Sequence, residues 1–364
     1  MKQSKELIII IISLATIILL STLFSGCLTT KSKQRSGIDY LRFSYDGTKM
    51  LSIANAQEGA DLQIWDVDSG EEIWRQFPTN PGVHGQSRDA FFSSDGSQVA
   101  VGDSIYDISS GNKITNFTGY HPVWSRTGDF FITVKTHSEK IEVWNASSFS
   151  IITTISADEL ILPYVGASIY DDKIVYIPCD KNTIAIVNLS SNSKNYSEHV
   201  NLNFEYEKSG HRIFWSKNGE MVGFNYAPDN FDSDFLFVWN TSNGELLYNI
   251  SIDESEWPIL SPDFEKYGAR KSSGGVFEIF NISTNSKLIE IKVENIHSYD
   301  WSKNGGLIAI GNGEGIIKIF NASNGNLIKM LETPIHTYET PGFEILILFI
   351  AACFLIFLKR KKGR

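Results

Sequence analysis

Cysteine is scarce, with three in 364 residues. They form no disulfide framework, because Cys27 closes the first apolar run, Cys353 lies inside the last, and Cys179 alone belongs to the middle. Stability must come from a packed core, and a chain that is 42% apolar and 12% aromatic can bury a large one. Basic residues are also in deficit. The net charge is −10, and between Cys27 and Pro341 there are 25 Lys/Arg against 40 Asp/Glu. That balance argues against nucleic acid, since phosphate binding needs clustered cations. The motifs of common chemistries are missing too: there is no His-Glu-x-x-His, no His-x-His pair, no glycine-rich phosphate loop and no Gly-x-Ser-x-Gly elbow. No cofactor is expected. Between residues 37 and 333 there is no long helical pattern.

What is present at the two ends speaks to membranes. Residues 1–26 read as a signal peptide or signal anchor: Lys2 and Lys5, an apolar run from Leu7 to Phe24, then small residues before Cys27. "LFSGC" resembles a lipoprotein signal, which implies a lipid on the Cys27 thiol; an uncleaved anchor with an incidental cysteine is the other reading. Residues 27–36 form a linker, and 334–342 form a second. The segment 343–364 has fourteen apolar residues, Ile345 to Leu358, and a basic tail. At about 1.5 Å per residue this span is short for a hydrocarbon core of about 30 Å. "TPGFEILILFIAACFLIFLKRKKGR" resembles the Pro-Gly-Phe sorting signal of archaeal surface proteins, which implies removal and lipid attachment by an archaeosortase; a permanent transmembrane tail anchor is the alternative. The five cations from Lys359 to Arg364 are expected to stay cytoplasmic, which places the middle of the chain outside, at the cell surface.

Residues 37–333 repeat. Seven phrases, "IWDVDSGEEI" (64–73), "IYDISSGNKI" (105–114), "VWNASSFSII" (143–152), "IVNLSSNSKN" (186–195), "VWNTSNGELL" (238–247), "IFNISTNSKL" (279–288) and "IFNASNGNLI" (319–328), recur about every forty residues. A second series precedes them, from "FSYDG" (43–47) through "WSRTG" (124–128) to two copies of "WSKNG" (215–219 and 301–305). Each repeat parses as apolar strand, D-G or N-G type turn, two further strands, a polar turn and a fourth strand, with the period-2 alternation of half-buried strands. The expected fold is all-β: a seven-bladed β-propeller of four-stranded antiparallel blades, flanked by N- and C-terminal hydrophobic membrane helices. Because the repeat begins with an inner strand near Ile38 and ends with an outer one, the ring is expected to close blade against blade without a shared strand.

This pattern resembles the WD-repeat β-propellers across 37–333, with the quinoprotein-like propellers as neighbours. The family dipeptide stands as Trp65-Asp66 and, more weakly, Tyr106-Asp107; later repeats carry Trp144-Asn145, Trp239-Asn240, Phe280-Asn281 and Phe320-Asn321. The Gly-His pair persists only as Gly210-His211, with His121 and His297 at corresponding places, and the resemblance implies a hydrogen-bonding role within a blade for such histidines.

Replacement of Asp by Asn turns the third-strand exit into Asn-x-Ser at Asn145, Asn188, Asn240, Asn281 and Asn321; Asn116, Asn195 and Asn249 add three more N-glycosylation acceptors. Plain turn chemistry also favours Asn there. Glycans at these sites are expected to coat the lower face and rim and leave the upper face free. The upper-face candidates for ligand binding are His121, His211, Asp229, Asp232, Asp234 and Trp257. Asn230, Asp232 and Asp234 alternate like the start of a calcium loop but lack its glycine and distant Glu, and a solvated acidic insertion is the other reading. Trp257 is placed in the connection 253–259, either capping the core or anchoring a partner. These readings converge on a non-enzymatic cell-surface scaffold, anchored in the membrane by one or both termini, that binds a protein or envelope glycan. Two alternatives stand beside it: a propeller enzyme (a quinoprotein-like dehydrogenase or a metal-dependent lyase or lactonase) and an envelope protein assembly factor.

Overall fold

The computed structural model describes residues 31–34, 36–56, 59–79, 90–135, 140–156, 167–176, 184–189, 193–196, 212–226, 233–253, 255–271, 273–334 and 336–339. Both terminal apolar segments, with Cys27, lie outside the described residues. Among the described residues no helix is long and apolar enough to cross a membrane. The chain divides into two units, Ser36–Thr333 and the joined flanks Met1–Arg35 and Pro334–Arg364. In the second unit Lys31–Gln34 pairs antiparallel with His336–Glu339.

Each repeat becomes one four-stranded antiparallel sheet with strands in chain order, and among the described residues there are seven. Sheet 1 is Ile38–Phe43, Lys49–Ala56, Gly59–Asp66 and Glu72–Thr79; sheet 2 is Ala90–Phe92, Gln98–Val101, Ser104–Asp107 and Lys113–Asn116. Sheet 3 is Tyr120–Trp124, Phe130–Val134, Lys140–Asn145 and Ile151–Ser156; sheet 4 is Ala167–Tyr170, Lys173–Tyr176, Ala185–Asn188 and Ser193–Tyr196. Sheet 5 is Ile213–Trp215, Met221–Tyr226, Ser233–Asn240 and Leu246–Asp253; sheet 6 is Ser255–Leu260, Lys266–Lys271, Val276–Asn281 and Lys287–Lys292. Sheet 7 is Ile296–Trp301, Leu307–Asn312, Ile316–Asn321 and Leu327–Glu332. This order puts the first-to-second and third-to-fourth turns at one end of the strands, the lower face. The other connections lie at the upper face.

The first turn explains why these strands fold back where they do. In sheet 1 the buried Ser44 donates its hydroxyl to Asp46 Oδ1 at 2.6 Å and accepts from Lys49 N at 2.9 Å, while Asp46 accepts from Thr48 N at 3.0 Å. A serine and a short carboxylate or amide two residues on thus satisfy the backbone of a tight turn. The same device recurs with Ser93 and Asp95, Ser216 and Asn218, Ser261 and Asp263, and Ser302 and Asn304.

One sheet cannot hide both of its faces, so the core lies between sheets. Seven apolar clusters fill seven seams. Leu51 and Ile64 meet Phe92 and Val99 between sheets 1 and 2, and Ile105 meets Phe131 and Trp144 between 2 and 3. Val143 meets Ile174 next, then Val175 meets Phe224 and Trp239. Val238 meets Tyr267, and Phe277 meets Tyr299 and Ile308. The last seam packs Ile317 and Ile319 of sheet 7 against Ile38, Leu41 and Met50 of sheet 1. Ser298 Oγ donates to Ile38 O, and Phe43 N donates to Asp300 Oδ2 at 2.9 Å, across the same seam. No strand of sheet 1 comes from the C-terminal repeat, so the ring closes by packing and side-chain hydrogen bonds without a shared strand. Its two ends meet at one upper-face turn: Thr333 N and Oγ1 both donate to Gly315 O at 3.0 Å, and a Cβ on Gly37 would lie 3.1 Å from Gly313 Cα.

Candidate binding faces of the ring

The Asn at the end of the third strand works as a turn cap. Asn145 Oδ1 accepts from Ser147 N at 3.0 Å and Ser148 N at 2.8 Å. Asn240 accepts from Ser242 N and Oγ at 2.8 and 2.6 Å, Asn281 from Ser283 N and Thr284 N at 3.0 Å each, and Asn321 from Ser323 N and Oγ at 2.8 and 2.6 Å. Asp66 and Asp107 do the same in sheets 1 and 2. The amide therefore replaces the carboxylate with no loss of the acceptor, and its Nδ2, the atom a glycan would take, is not needed for the turn. These four Asn residues are half-buried, whereas Asn116 and Asn249 on fourth strands are exposed. Asn188 ends its strand in sheet 4, and the Asn195 side chain lies outside the described residues.

The acid and the amide differ in one measurable way. Hydrogen bonds from the Ser109 and Ser110 hydroxyls, then from Ser110 N, hold the Asp107 carboxyl down at about 2. A depressed carboxyl contributes stability above its ordinary value and loses it as pH falls through the folded value. Asp107→Asn, made in a host that adds no glycan, is therefore expected to flatten the acid limb of stability between about pH 4 and about pH 2. Chemical denaturation across that range checks it, and an unchanged limb would refute this account of the turn.

The expected upper-face site is only partly assembled. His211, Asp229, Asn230 and Asp232 lie outside the described residues, as does the His121 side chain, although His121 sits on the first strand of sheet 3. Two expectations need correction. Trp257 is not in a connecting loop: it lies within the first strand of sheet 6, at a register shift between Glu256 and Ile259, with φ at 53°. There its N–H donates to Asp234 Oδ2 at 2.5 Å, its carbonyl accepts from Tyr299 Oη at 2.6 Å, and its ring packs on the seam between sheets 6 and 7. Asp234 is accordingly engaged in holding this bulge. Trp257 and Asp234 come together as a core cap, and the ring is further covered by the Arg270 guanidinium, 5.4 Å from its centroid. His297 is the second correction. Its Nδ1 lies 3.2 Å from Asp39 Oδ1, so it ties sheet 7 to sheet 1 rather than acting within its own blade. Among the described residues no group of three His, Cys, Asp or Glu is placed to hold a metal.

At the lower face the first strands converge on a cavity of about 190 Å³ at the mouth of the central channel, to which all seven sheets contribute. Phe43, Phe92, Trp124, Tyr170, Trp215, Leu260 and Trp301 form its walls, and Arg42, Arg126, Arg212, Lys217 and Lys303 enter it with Asp300. Sequence reasoning missed this site. The signal was there: the third letter of "WSRTG" and of both "WSKNG" phrases is basic, and those letters are Arg126, Lys217 and Lys303.

Comparison with known proteins agrees with this architecture. A family model described as the anaphase-promoting complex subunit 4 WD40 domain matches residues 270–347. No curated protein sequence matches the chain. Among solved structures, the WD40 repeats of RRP9 align at TM-score 0.57 with 16% identity, covering 79% of this chain and 90% of that one. KlAtg21, solved in complex with the coiled coil of AgAtg16, aligns at 0.59 with 15% identity over 82% of this chain and all of that one (100%). U3-55K aligns at 0.57 with 15% identity, covering 79% and 91%. The fold is that of a WD40-repeat propeller.

Within this WD40-type propeller the internal bonding set is uneven. Trp65 Nε1 donates to Ser52 Oγ at 2.8 Å and Trp144 Nε1 to Thr133 Oγ1 at 3.0 Å, from third strand to second. In sheet 5 the matching register position is Phe224, which offers no acceptor, and the buried Trp239 Nε1 has no hydrogen-bond partner. A large aromatic seam there compensates the unmade bond: Phe237 lies 5.7 Å from Trp239, centroid to centroid.

Proposed function

We propose that the chain is a non-enzymatic scaffold at the cell surface, held to the membrane by one or both ends, on which a protein or an envelope glycan is bound. The observation that carries this reading is the use to which the well-placed charged and polar side chains are put. Asp61 is fully buried against Arg75, Glu142 receives Lys135 at 2.7 Å and Thr118 at 2.7 Å, and Glu278 receives Lys287 at 3.0 Å. The buried turn serines and Asp234 likewise brace turns and bulges. Such groups make a rigid platform and leave recognition to what the platform displays.

Both ends of the ring meet at the upper-face Asn312–Gly315 turn. On the lower face, sequon-bearing turns lie toward the outer strands and the channel mouth lies at the centre. Glycans on Asn145, Asn240, Asn281 and Asn321 would fence that mouth without filling it.

The test is surface labelling of intact cells joined to glycopeptide mass spectrometry of the native protein. The expected result is a propeller labelled from outside, with glycan on these four asparagines. Labelling only after lysis would sink the surface reading, and bare asparagines would leave turn capping as their whole role. A stoichiometric metal or quinone in the purified protein would restore the enzyme reading.

A further inference from the structure

The lower mouth of the channel has a charge opposite to that of the chain. Among the described residues its lining holds five cations and one carboxylate, although the protein carries −10 overall. The cations stand in two tiers. Arg126, Lys217 and Lys303 each follow a turn serine by one residue and so form an outer ring; Arg42 and Arg212 lie deeper, on or beside first strands. Few of these charges are neutralised well. Arg212 Nη1 is 3.6 Å from Asp300 Oδ1, an oxygen pair that also serves Phe43 N, and Arg126 Nη2 is 3.3 Å from Asp171 Oδ2. Arg42 rests its guanidinium 4.2 Å from the Phe91 ring centroid, with no carboxylate in reach among the described residues. Lys303 is exposed and stands in the lining beside Trp301 and Asp300. Burial pushes its ammonium pKa down, Asp300 opposes this, and Arg42 and Arg212 add to the push. Like charges gathered between low-dielectric walls repel one another and focus a positive potential, which an entering anion relieves.

The walls say what kind of anion. Trp124 and Trp301 are buried at 8% and 4% exposure, and Tyr170 packs on Trp215 at 5.5 Å with the Arg126 guanidinium 5.4 Å from its centroid, which leaves Tyr45 as the exposed ring of the lining. The neutral polar groups offered are serine and tyrosine hydroxyls, most of them already bonded: Ser93, Ser125 and Ser216 within their turns and Tyr170 to Lys217 O. A cavity of about 190 Å³ has room for a side chain or two and is too small for a folded element. Apolar walls under a ring of cations suit the methylene stem and carboxylate of a Glu or Asp side chain.

We propose that the lower channel mouth binds an acidic extended segment of a partner protein, whose carboxylates enter between Lys303, Arg42 and Arg212 while Arg126 and Lys217 hold the flanking residues. This rests on the scaffold reading and names its partner's chemistry.

The experiment uses the full chain in detergent and a fluorescent hexaglutamate peptide as the probe. Binding is expected to weaken about tenfold or more in Lys303→Glu and again in Lys217→Glu, and to fade as salt rises from about 0.05 to about 0.5 M. Lys113→Glu, on an exposed fourth strand of sheet 2, is expected to bind as the parent does. Thermal unfolding of each variant separates lost binding from lost folding, and Lys303→Ala serves if Lys303→Glu does not fold. Absence of hexaglutamate binding, or equal loss in Lys113→Glu, overturns the proposal. So does a hexauronate oligosaccharide that binds tighter than the peptide. Surface labelling is independent of all these arms, so failure of the scaffold reading would be seen separately.

Discussion

Arg75→Ala is expected to destabilise the propeller by about 3–5 kcal/mol, because it takes a two-bond guanidinium away from a buried carboxylate. Asp61 has 0% exposed side chain, and Arg75 meets it with two parallel bonds, Nε to Oδ1 at 2.9 Å and Nη2 to Oδ2 at 3.0 Å. That fork ties the third strand of sheet 1 to the fourth. Removing the guanidinium lowers the compensation for the desolvation cost of the acid, whereas removing both charges removes the cost as well. The double change Asp61→Ala with Arg75→Ala is therefore expected to be less harmful than Arg75→Ala alone. Urea unfolding of the three variants decides it. A cost below about 1 kcal/mol for Arg75→Ala would show that water or another group takes over the acid.

Leu41→Ala is expected to cost about 2–5 kcal/mol, the range for deleting a fully buried leucine, and to loosen the ring as well. Leu41 sits in the seam between sheets 7 and 1. Every other seam joins neighbours in the chain, so a short connection keeps its two sides together even when packing weakens. The closing seam joins residues some 260 positions apart and has no strand exchanged across it, so no short connection holds its two sides together when packing weakens. Hydrogen exchange is expected to rise in sheets 1 and 7 before the rest. The matched deletion Leu62→Ala, in the seam between sheets 1 and 2, is expected to raise exchange locally. Equal patterns from the two variants would mean that closure adds nothing to stability beyond ordinary packing.

Much of this fold was legible because its signals are local. Ser44 with Asp46, or Ser302 with Asn304, forms a turn from residues two apart, and Asn321 caps its turn using Ser323. The short apolar runs "IIKIFN" and "LIAIGN", each beside a turn signal, marked strands that the structure contains at Ile316–Asn321 and Leu307–Asn312. Trp257 misled because an indole among acids looks like a loop residue; a bulge in a first strand has no such linear signature, and only the approach of Asp234 and Tyr299 reveals it. His297 misled for a related reason. Its partner Asp39 is 258 residues away in the chain and adjacent only once the ring has closed.

The sequence by itself determined the sheets: strand length, turn position, the exchange of Asp for Asn, and the repeat that makes the units alike. Those properties depend on side chains bonding to backbone within a few residues, so order along the chain suffices. The tertiary structure decided which face each charge reaches. Arg42, Arg126, Arg212, Lys217 and Lys303 are diluted in an acidic chain and become one cationic mouth only because seven inner strands converge on a common axis. Distance in space, not in sequence, sets their mutual repulsion and hence their appetite for an anion.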